Sequence, residues 1–234
     1  YNGYVEILPT PFIATDTFDT WGLDKDDERR NVVTVQNPLE ADRAVLGTTL
    51  LPSMLDAVRR NVVRGANELA LFGVEQVAIN HGDGKSPMLD TSSRPSDEEV
   101  WHLRDTLPVQ PLYAATVACG NVEFEGPWGV GRAYTFADAI EAARTVARAA
   151  DVEITVENAE YLPWHPGRCA AILVDGTVVG HAGELHPQIL ERLGLPKRTC
   201  AMEMNLSALP FAPSAPAPVL SAFPTNLQDI ALVV

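Results

Sequence analysis

The sequence predicts an α+β fold in which an antiparallel sheet is flanked by helices. Two segments carry this prediction. The Asp175-Gly176 pair separates two apolar stretches rich in β-branched residues, Ala170–Val174 and Thr177–His181. Asp-Gly between such stretches is a strong hairpin signal, because both turn positions tolerate a positive φ. Between Phe136 and Ala150, apolar residues recur at helical spacing, which predicts a helix that lies across the sheet.

Local signals predict the other elements in chain order. Thr135 and Asp138 resemble a capping box at the start of the helix over 136–150. Pro52 and Pro187 each stand in the first turn of a further helix, where the missing N–H costs nothing. The predicted helices are 14–21, 51–62, 136–150 and 187–194. The predicted strands, besides the hairpin, are 3–8, 32–35, 68–79, 112–118, 154–156 and 201–206, and 80–95 is predicted to be a loop.

Composition limits the class of protein. The 234 residues are 46% hydrophobic, which is enough for one main domain. The sequence has 31 acidic and 17 basic residues, a formal net charge of -14, and this balance opposes nucleic-acid binding by the surface as a whole. No run of about 18 apolar residues and no signal segment occurs, so we expect no membrane contact. Cys119, Cys169 and Cys200 are widely spaced, as in a protein of a reducing cytoplasm.

The segment from His165 to Pro187 contains the residues that most resemble a catalytic site. His165, His181, Glu184 and His186 could form a metal or acid–base site, and a free-standing metal-dependent enzyme that uses His165, Glu184 and His186 is kept as an alternative. Strand parity opposes it, because His181 and Glu184 point to opposite faces and only Glu184 and His186 share one. We expect the following residues to shape the hairpin, with Arg168 and Glu184 as an ion pair: His165, Gly167, Arg168, Gly183, Glu184 and His186.

Catalytic sequence templates are absent. There is no phosphate-binding loop, no Gly-x-Ser-x-Gly elbow and no His-Glu-x-x-His motif. We therefore expect no catalytic, cofactor-binding or metal-binding residue in this chain. Arg60 and Arg64 lie four residues apart and could share a helix face, which keeps a tRNA-binding module as a second alternative to a structural role.

The last part of the chain differs in composition. Pro210, Pro213, Pro216 and Pro218 alternate with Ala and Ser, as in a semi-rigid extended linker. The chain starts at Tyr1 without methionine and stops within an apolar, strand-like run. Because a strand must be paired, we expect this terminal segment to belong to a domain that continues beyond the sequence.

A series of motifs, taken in order, resembles the family of bacterial phenylalanyl-tRNA synthetase (phenylalanine-tRNA ligase) beta subunits, in their C-terminal part. The resemblance spans essentially the whole chain, and the ordered set is far more specific than any one motif. The motifs are Asn37-Pro38-Leu39, LGTTLL at 46–51, PSML at 52–55, Asn61, ELALF at 68–72, WHPGR at 164–168, GHAGELHP at 180–187, Phe223-Pro224 and DIALVV at 229–234.

The resemblance implies that residues 1–206 form a core like that of class II aminoacyl-tRNA synthetases but without catalysis. It implies a linker over 207–222 and, over 223–234, the first strand of a ferredoxin-like anticodon-binding domain. The residues themselves agree, because 72–78 and 183–185 lack the arginines that such an active site needs to hold ATP phosphates.

The resemblance also implies partners. The catalytic alpha subunit would pair with this chain in a cytoplasmic complex of two alpha and two beta subunits, and the holoenzyme would use ATP and Mg²⁺, neither bound by this segment. Contacts with tRNA would lie mostly outside it. The expected subunit interface consists of Asn37, Pro38, Leu39, Leu50, Leu51 and Pro52.

Overall fold

The computed structural model describes residues 3–81, 88–90, 92–127, 129–211, 217, 220, 222–224 and 226–232. The predicted loop at 80–95 and the predicted linker therefore lie partly outside the described residues. Within the described part, the chain forms a central sheet with helices on both faces, which agrees with the predicted α+β class. No helix in this part is both long enough and apolar enough to cross a membrane.

The central sheet has seven strands. In spatial order they are β1 (Val5–Glu6), β5 (Leu69–Gln76), β6 (Leu112–Cys119), β12 (Cys200–Asn205), β11 (Thr177–Leu185), β10 (Trp164–Val174) and β9 (Thr155–Ala159). All neighbouring pairs are antiparallel except β1 and β5, which are parallel. The prediction of a purely antiparallel sheet is therefore wrong. The long stretch between β1 and β5 contains a helix, and a parallel pair requires such a crossover connection.

Two long helices cover opposite faces of this sheet. Helix α2 (Leu51–Val63) packs with Trp164, Leu185 and Ala201 on one face. Helix α4 (Phe136–Ala149) packs with Ile172 and with the two methionines of β12 on the other. The other helices are α1 (Thr17–Trp21), α3 (Asp97–Asp105) and α5 (Pro187–Leu193), and 3-10 turns span Glu28–Arg30 and Leu206–Ala208.

Two small sheets complete the fold. The first contains β2 (Phe12–Ile13), β4 (Val45–Leu46) and β3 (Val33–Thr34), and the second contains β7 (Asn121–Glu123) and β8 (Arg132–Ala133).

The hairpin of β10 and β11 forms where it is predicted. Its turn residues Asp175 and Gly176 have φ values of 49° and 77°, as a two-residue hairpin turn requires. Gly183 lies against the neighbouring strand so closely that a Cβ atom there would overlap the carbonyl oxygen of Arg168. The hairpin strands are longer than predicted, so His165, Gly167 and Arg168 lie within β10 rather than before it.

Two elements differ from prediction. Helix α3 was not predicted. It begins with a capping box formed by Ser96 and Glu99, but it contains no buried residue, so its sequence lacks the periodic apolar residues by which the other helices were predicted. The expected strand over 223–234 is not present among the described residues of that range. Its side chains Leu227, Ile230 and Leu232 are exposed, and a strand does not form without a partner.

Candidate functional site

A cavity with many polar side chains lies on the face of the sheet that α2 covers. It has a volume of about 480 Å³. Strands β11 and β12 form its base, and the 3-10 turn at Glu28–Arg30 and the approach to α2 form its sides. Its lining residues include Glu28, Arg29, Asn31, Thr48, Thr49, Asn80, Tyr113, Tyr161, Trp164, His181, Glu203 and Asn205.

Glu203 is the central group of this cavity. It alternates along β12 with Met202 and Met204, which face α4, so its carboxylate faces α2. The Thr49 hydroxyl donates to both carboxylate oxygens at 2.8 Å, and the Leu50 N–H donates at 2.7 Å. The N-cap residue of α2, Leu50, has no side chain that can cap the helix; the Glu203 carboxylate accepts from the Leu50 N–H, and the Thr49 hydroxyl accepts from the Leu51 N–H at 3.3 Å. Burial raises the pKa of Glu203 to about 7.

Three side chains form a stack beside Glu203. The guanidinium of Arg29 lies 4.1 Å from the centre of the Tyr161 ring. The ring centres of Tyr161 and His181 are 3.9 Å apart, with the planes nearly parallel. Burial, helped by the charge of Arg29, lowers the pKa of His181 to about 4, so the imidazole is neutral at physiological pH.

Among the described residues that line this cavity, Arg29 is the one cation, and its guanidinium is already paired. The Nε and Nη2 atoms of Arg29 donate to the two carboxylate oxygens of Asp27 at 2.9 and 2.7 Å, and Nη1 donates to the carbonyl oxygen of Leu162. Glu28 and Glu203 line the same cavity. Among the described lining residues, a phosphate group would meet two carboxyl groups and no unpaired guanidinium, which disfavours a nucleotide here.

The residues predicted to form a catalytic-like cluster lie apart from this cavity. Glu184 is 4% exposed and accepts a hydrogen bond of 2.8 Å from Arg168, while the Nε of Arg198 lies 3.8 Å from its other oxygen. His181 points to the opposite face, as strand parity requires. The structure thus forms the ion pair that the sequence suggested between Arg168 and Glu184.

The two predicted histidines adopt structural positions. His186 precedes α5, and its Nδ1 accepts from the Gln188 N–H at 3.2 Å. The rings of His165 and His186 lie 6.1 Å apart. Gly167 has a φ of 83°, which favours glycine at this position. The described residues contain no group of three or more His, Cys, Asp or Glu side chains placed to hold a metal ion, so the metal-enzyme alternative gains no support.

The expected subunit-interface residues fall into two groups. Leu50 and Leu51, at the start of α2, are buried in this chain, so they contribute no exposed surface, and their place in the interface stays a prediction. They belong to the core because they start a helix whose first turn faces the sheet. Asn37, Pro38 and Leu39 line a separate surface cavity of about 410 Å³. Leu39 is fully exposed, and Pro52 lines a further cavity beside α1.

Sequence reasoning missed Glu203, Thr49 and Arg29. For Glu203, the sequence contains one indication of a special role, because it is the single acidic residue in the mostly apolar segment Cys200–Asn205. Alternation alone could not show whether that residue faced solvent or a cavity, because the answer depends on α2, which lies far away in the sequence.

Comparisons with known proteins give one family. Residues 1–206 match the model of the phenylalanyl tRNA synthetase beta chain CLM domain. The whole chain is 70% identical to the phenylalanine–tRNA ligase beta subunit of Corynebacterium efficiens, 67% identical to that of Corynebacterium diphtheriae and 48% identical to that of Mycobacterium leprae. The chain spans 28% of the length of each of these relatives. The matches give no support to the expectation that the segment is the C-terminal part of the subunit.

Proposed function

Since the chain belongs to the phenylalanyl-tRNA synthetase beta chain family, we propose that it is a segment of the beta subunit of the enzyme that attaches phenylalanine to its tRNA with ATP. The identity of 70% over the whole chain supports this assignment. The enzyme acts in the cytoplasm, and its ATP and Mg²⁺ bind outside this segment, in the alpha subunit.

The segment itself is a non-catalytic core. The observation that carries this proposal is the scarcity of fixed positive charge in the central sheet, whose described strands contain one Lys or Arg, Arg168. Arg168 is paired with Glu184, and Arg29 in the polar cavity is paired with Asp27. An enzyme that activates an amino acid must stabilise the negative charge of a triphosphate with fixed cations. The described strands offer none that is unpaired.

The fold proposed for residues 1–206 is a class II-like core in which these cations have been replaced. The polar groups that remain in the cavity bind one another, as Thr49 and Leu50 bind Glu203. They therefore stabilise the junction between α2 and the sheet. Residues 207–222 are proposed as a linker and 223–234 as the start of a ferredoxin-like domain.

The role of this core is to pack against the catalytic alpha subunit in a complex of two alpha and two beta subunits. Leu39 supports this part of the proposal, because a fully exposed leucine at the rim of a cavity is the kind of apolar anchor that a partner buries. Asn37 and Pro38 line the same cavity as Leu39, and Pro52 lines the cavity beside α1; these three residues form the remaining proposed contact.

ATP–pyrophosphate exchange in the presence of phenylalanine tests the non-catalytic role. We expect the purified beta subunit to show no exchange, and the reconstituted complex of alpha and beta subunits to exchange at its full rate. The variant Arg29→Gln within the complex should leave the kcat of exchange unchanged. Exchange by the beta subunit alone, or loss of kcat in an Arg29→Gln complex that assembles normally, would contradict the proposal.

A further inference from the structure

A large apolar groove lies on the face of the sheet that α4 covers only in part. It has a volume of about 940 Å³. Helix α4 contacts β10, β11, β12 and β6, and the groove lies between its C-terminal half and the outer strands β5 and β6. Its walls include Phe72, Val74, Ala114, Val146, Ala149, Met202, Leu206, Leu209 and Phe211.

The composition of this groove indicates what kind of molecule covers it. None of the described residues that line it is charged, although 21% of the sequence is charged. A nucleic acid or a phosphorylated ligand needs cations, and a polar small molecule needs more hydrogen-bonding groups than this lining provides. Exposed uncharged surface of this extent marks a contact with apolar protein side chains.

The path of the chain indicates which protein segment covers the groove. Tyr4, near the first described residue, lines the groove, and so do Leu209, Pro210 and Phe211, which follow the last element of the fold. Both ends of the folded core therefore meet at this groove. In the relatives, the matched region is 28% of the subunit, so most of the polypeptide lies outside it, and any polypeptide that precedes this segment joins the fold close to Tyr4 and the groove.

The described residues that follow do not fill the groove. Phe211 is 96% exposed, and Leu220, Phe223 and Leu227 are each more than 80% exposed. We propose that the groove between α4 and strands β5 and β6 is the docking site for an apolar segment of the same beta-subunit polypeptide that lies outside residues 1–234. This inference depends on the proposed function only in that the chain is part of a longer beta subunit.

A photo-crosslinking experiment on the full beta subunit tests this inference. The photoreactive residue p-benzoylphenylalanine is placed at Ala149, which is exposed and lines the groove. Ala137, exposed on the same helix but outside the groove, is the matched control. We expect crosslinks from position 149 to beta-subunit peptides outside residues 1–234, and none to those peptides from position 137. Crosslinks from position 149 to the alpha subunit, to a second beta subunit or to residues 1–234, or no crosslink, would overturn the proposal.

Cysteine variants at the same two positions provide a second test, which does not require the fold to accommodate the bulky photoreactive group. In the beta subunit without its partner, Ala149→Cys should react with a maleimide at least about tenfold more slowly than Ala137→Cys, because the docked segment excludes the reagent. The three native cysteines of this chain are buried, so peptide mass spectrometry can follow the introduced thiol. Equal rates, or protection only after the alpha subunit is added, would contradict docking within one polypeptide. If the beta subunit does not bind alpha but Ala149→Cys still reacts slowly with the maleimide, the proposed assembly is refuted and the proposed docking within one polypeptide stands.

Discussion

The Thr49 hydroxyl donates a 2.8 Å hydrogen bond to the Glu203 carboxylate, which joins residues 154 positions apart in the sequence. This bond ties the start of α2 to the middle of β12, and the Leu50 N–H strengthens it with a second donor. We therefore propose that the polar cavity around Glu203 serves as a structural junction between α2 and the sheet.

Glu203→Gln should change how stability depends on pH. Burial raises the Glu203 pKa from 4.5 to about 7 in the folded chain, so the folded state binds the proton more tightly than the unfolded state. Proton binding by Glu203 therefore stabilises the folded state. This stabilisation is fully present below pH 4.5 and is lost as the pH rises through 7, which lowers the free energy of unfolding by about 1–3 kcal/mol. Urea unfolding at pH 5 and pH 8 should therefore show a smaller loss of stability in Glu203→Gln than in the native chain. Identical losses would refute this account of Glu203.

His181→Phe should have the opposite pH signature. The folded-state pKa of His181 is about 4, below its ordinary value of 6.5, so its contribution to stability is complete above pH 6.5 and is lost as the pH falls through 4. Phenylalanine keeps a ring against Tyr161 and cannot be protonated. Between pH 6.5 and 4, the variant should lose less unfolding free energy than the native chain. An equal loss would mean that His181 is not buried as a neutral ring.

Gly183→Ala should destabilise the hairpin by about 1–3 kcal/mol, because the added methyl group overlaps the backbone of Arg168 and the strands must separate. Gly126→Ala is the matched control, since a Cβ there has no atom within 4 Å. Thermal unfolding followed by circular dichroism compares the two. Equal melting temperatures would show that β10 and β11 are less closely packed than described.

Arg168→Ala should cost about 1–2 kcal/mol of unfolding free energy, because it leaves the buried Glu184 carboxylate with Arg198 alone at 3.8 Å. Arg148→Ala removes an exposed pair with Glu141 and should change stability by less than about 0.5 kcal/mol. Chemical denaturation of both variants provides the comparison. If Arg148→Ala lowered the free energy of unfolding as much as Arg168→Ala, the buried ion pair would stabilise the fold no more than the exposed one.

The sequence predicted those elements whose signals are local. The turn at Asp175-Gly176, the capping box at Thr135 and the proline in the first turn of α2 each act within a few residues, and each element forms where expected. The parity of β11 correctly separated His181 from Glu184.

The remaining features depend on distant partners. Glu203 acquires its role from Thr49, and the parallel pairing of β1 depends on where the chain returns at β5. Leu50 is buried because it packs against residues that are distant in the sequence, and the local sequence pattern does not indicate this contact. These contacts arise between segments far apart in the sequence, so the composition of either segment alone cannot reveal them.

We propose that this core assembles with the alpha subunit through its surface at Leu39. The most direct test is the molar mass, by light scattering on a sizing column, of beta subunits mixed with alpha. The native subunit and the control Leu220→Asp, which alters an exposed leucine in the proposed linker, should elute with alpha as a complex of two alpha and two beta subunits. Leu39→Asp should weaken assembly at least about tenfold, because it places a charge in a buried apolar contact. Separate elution of native beta and alpha, or full assembly of Leu39→Asp, would contradict the claim.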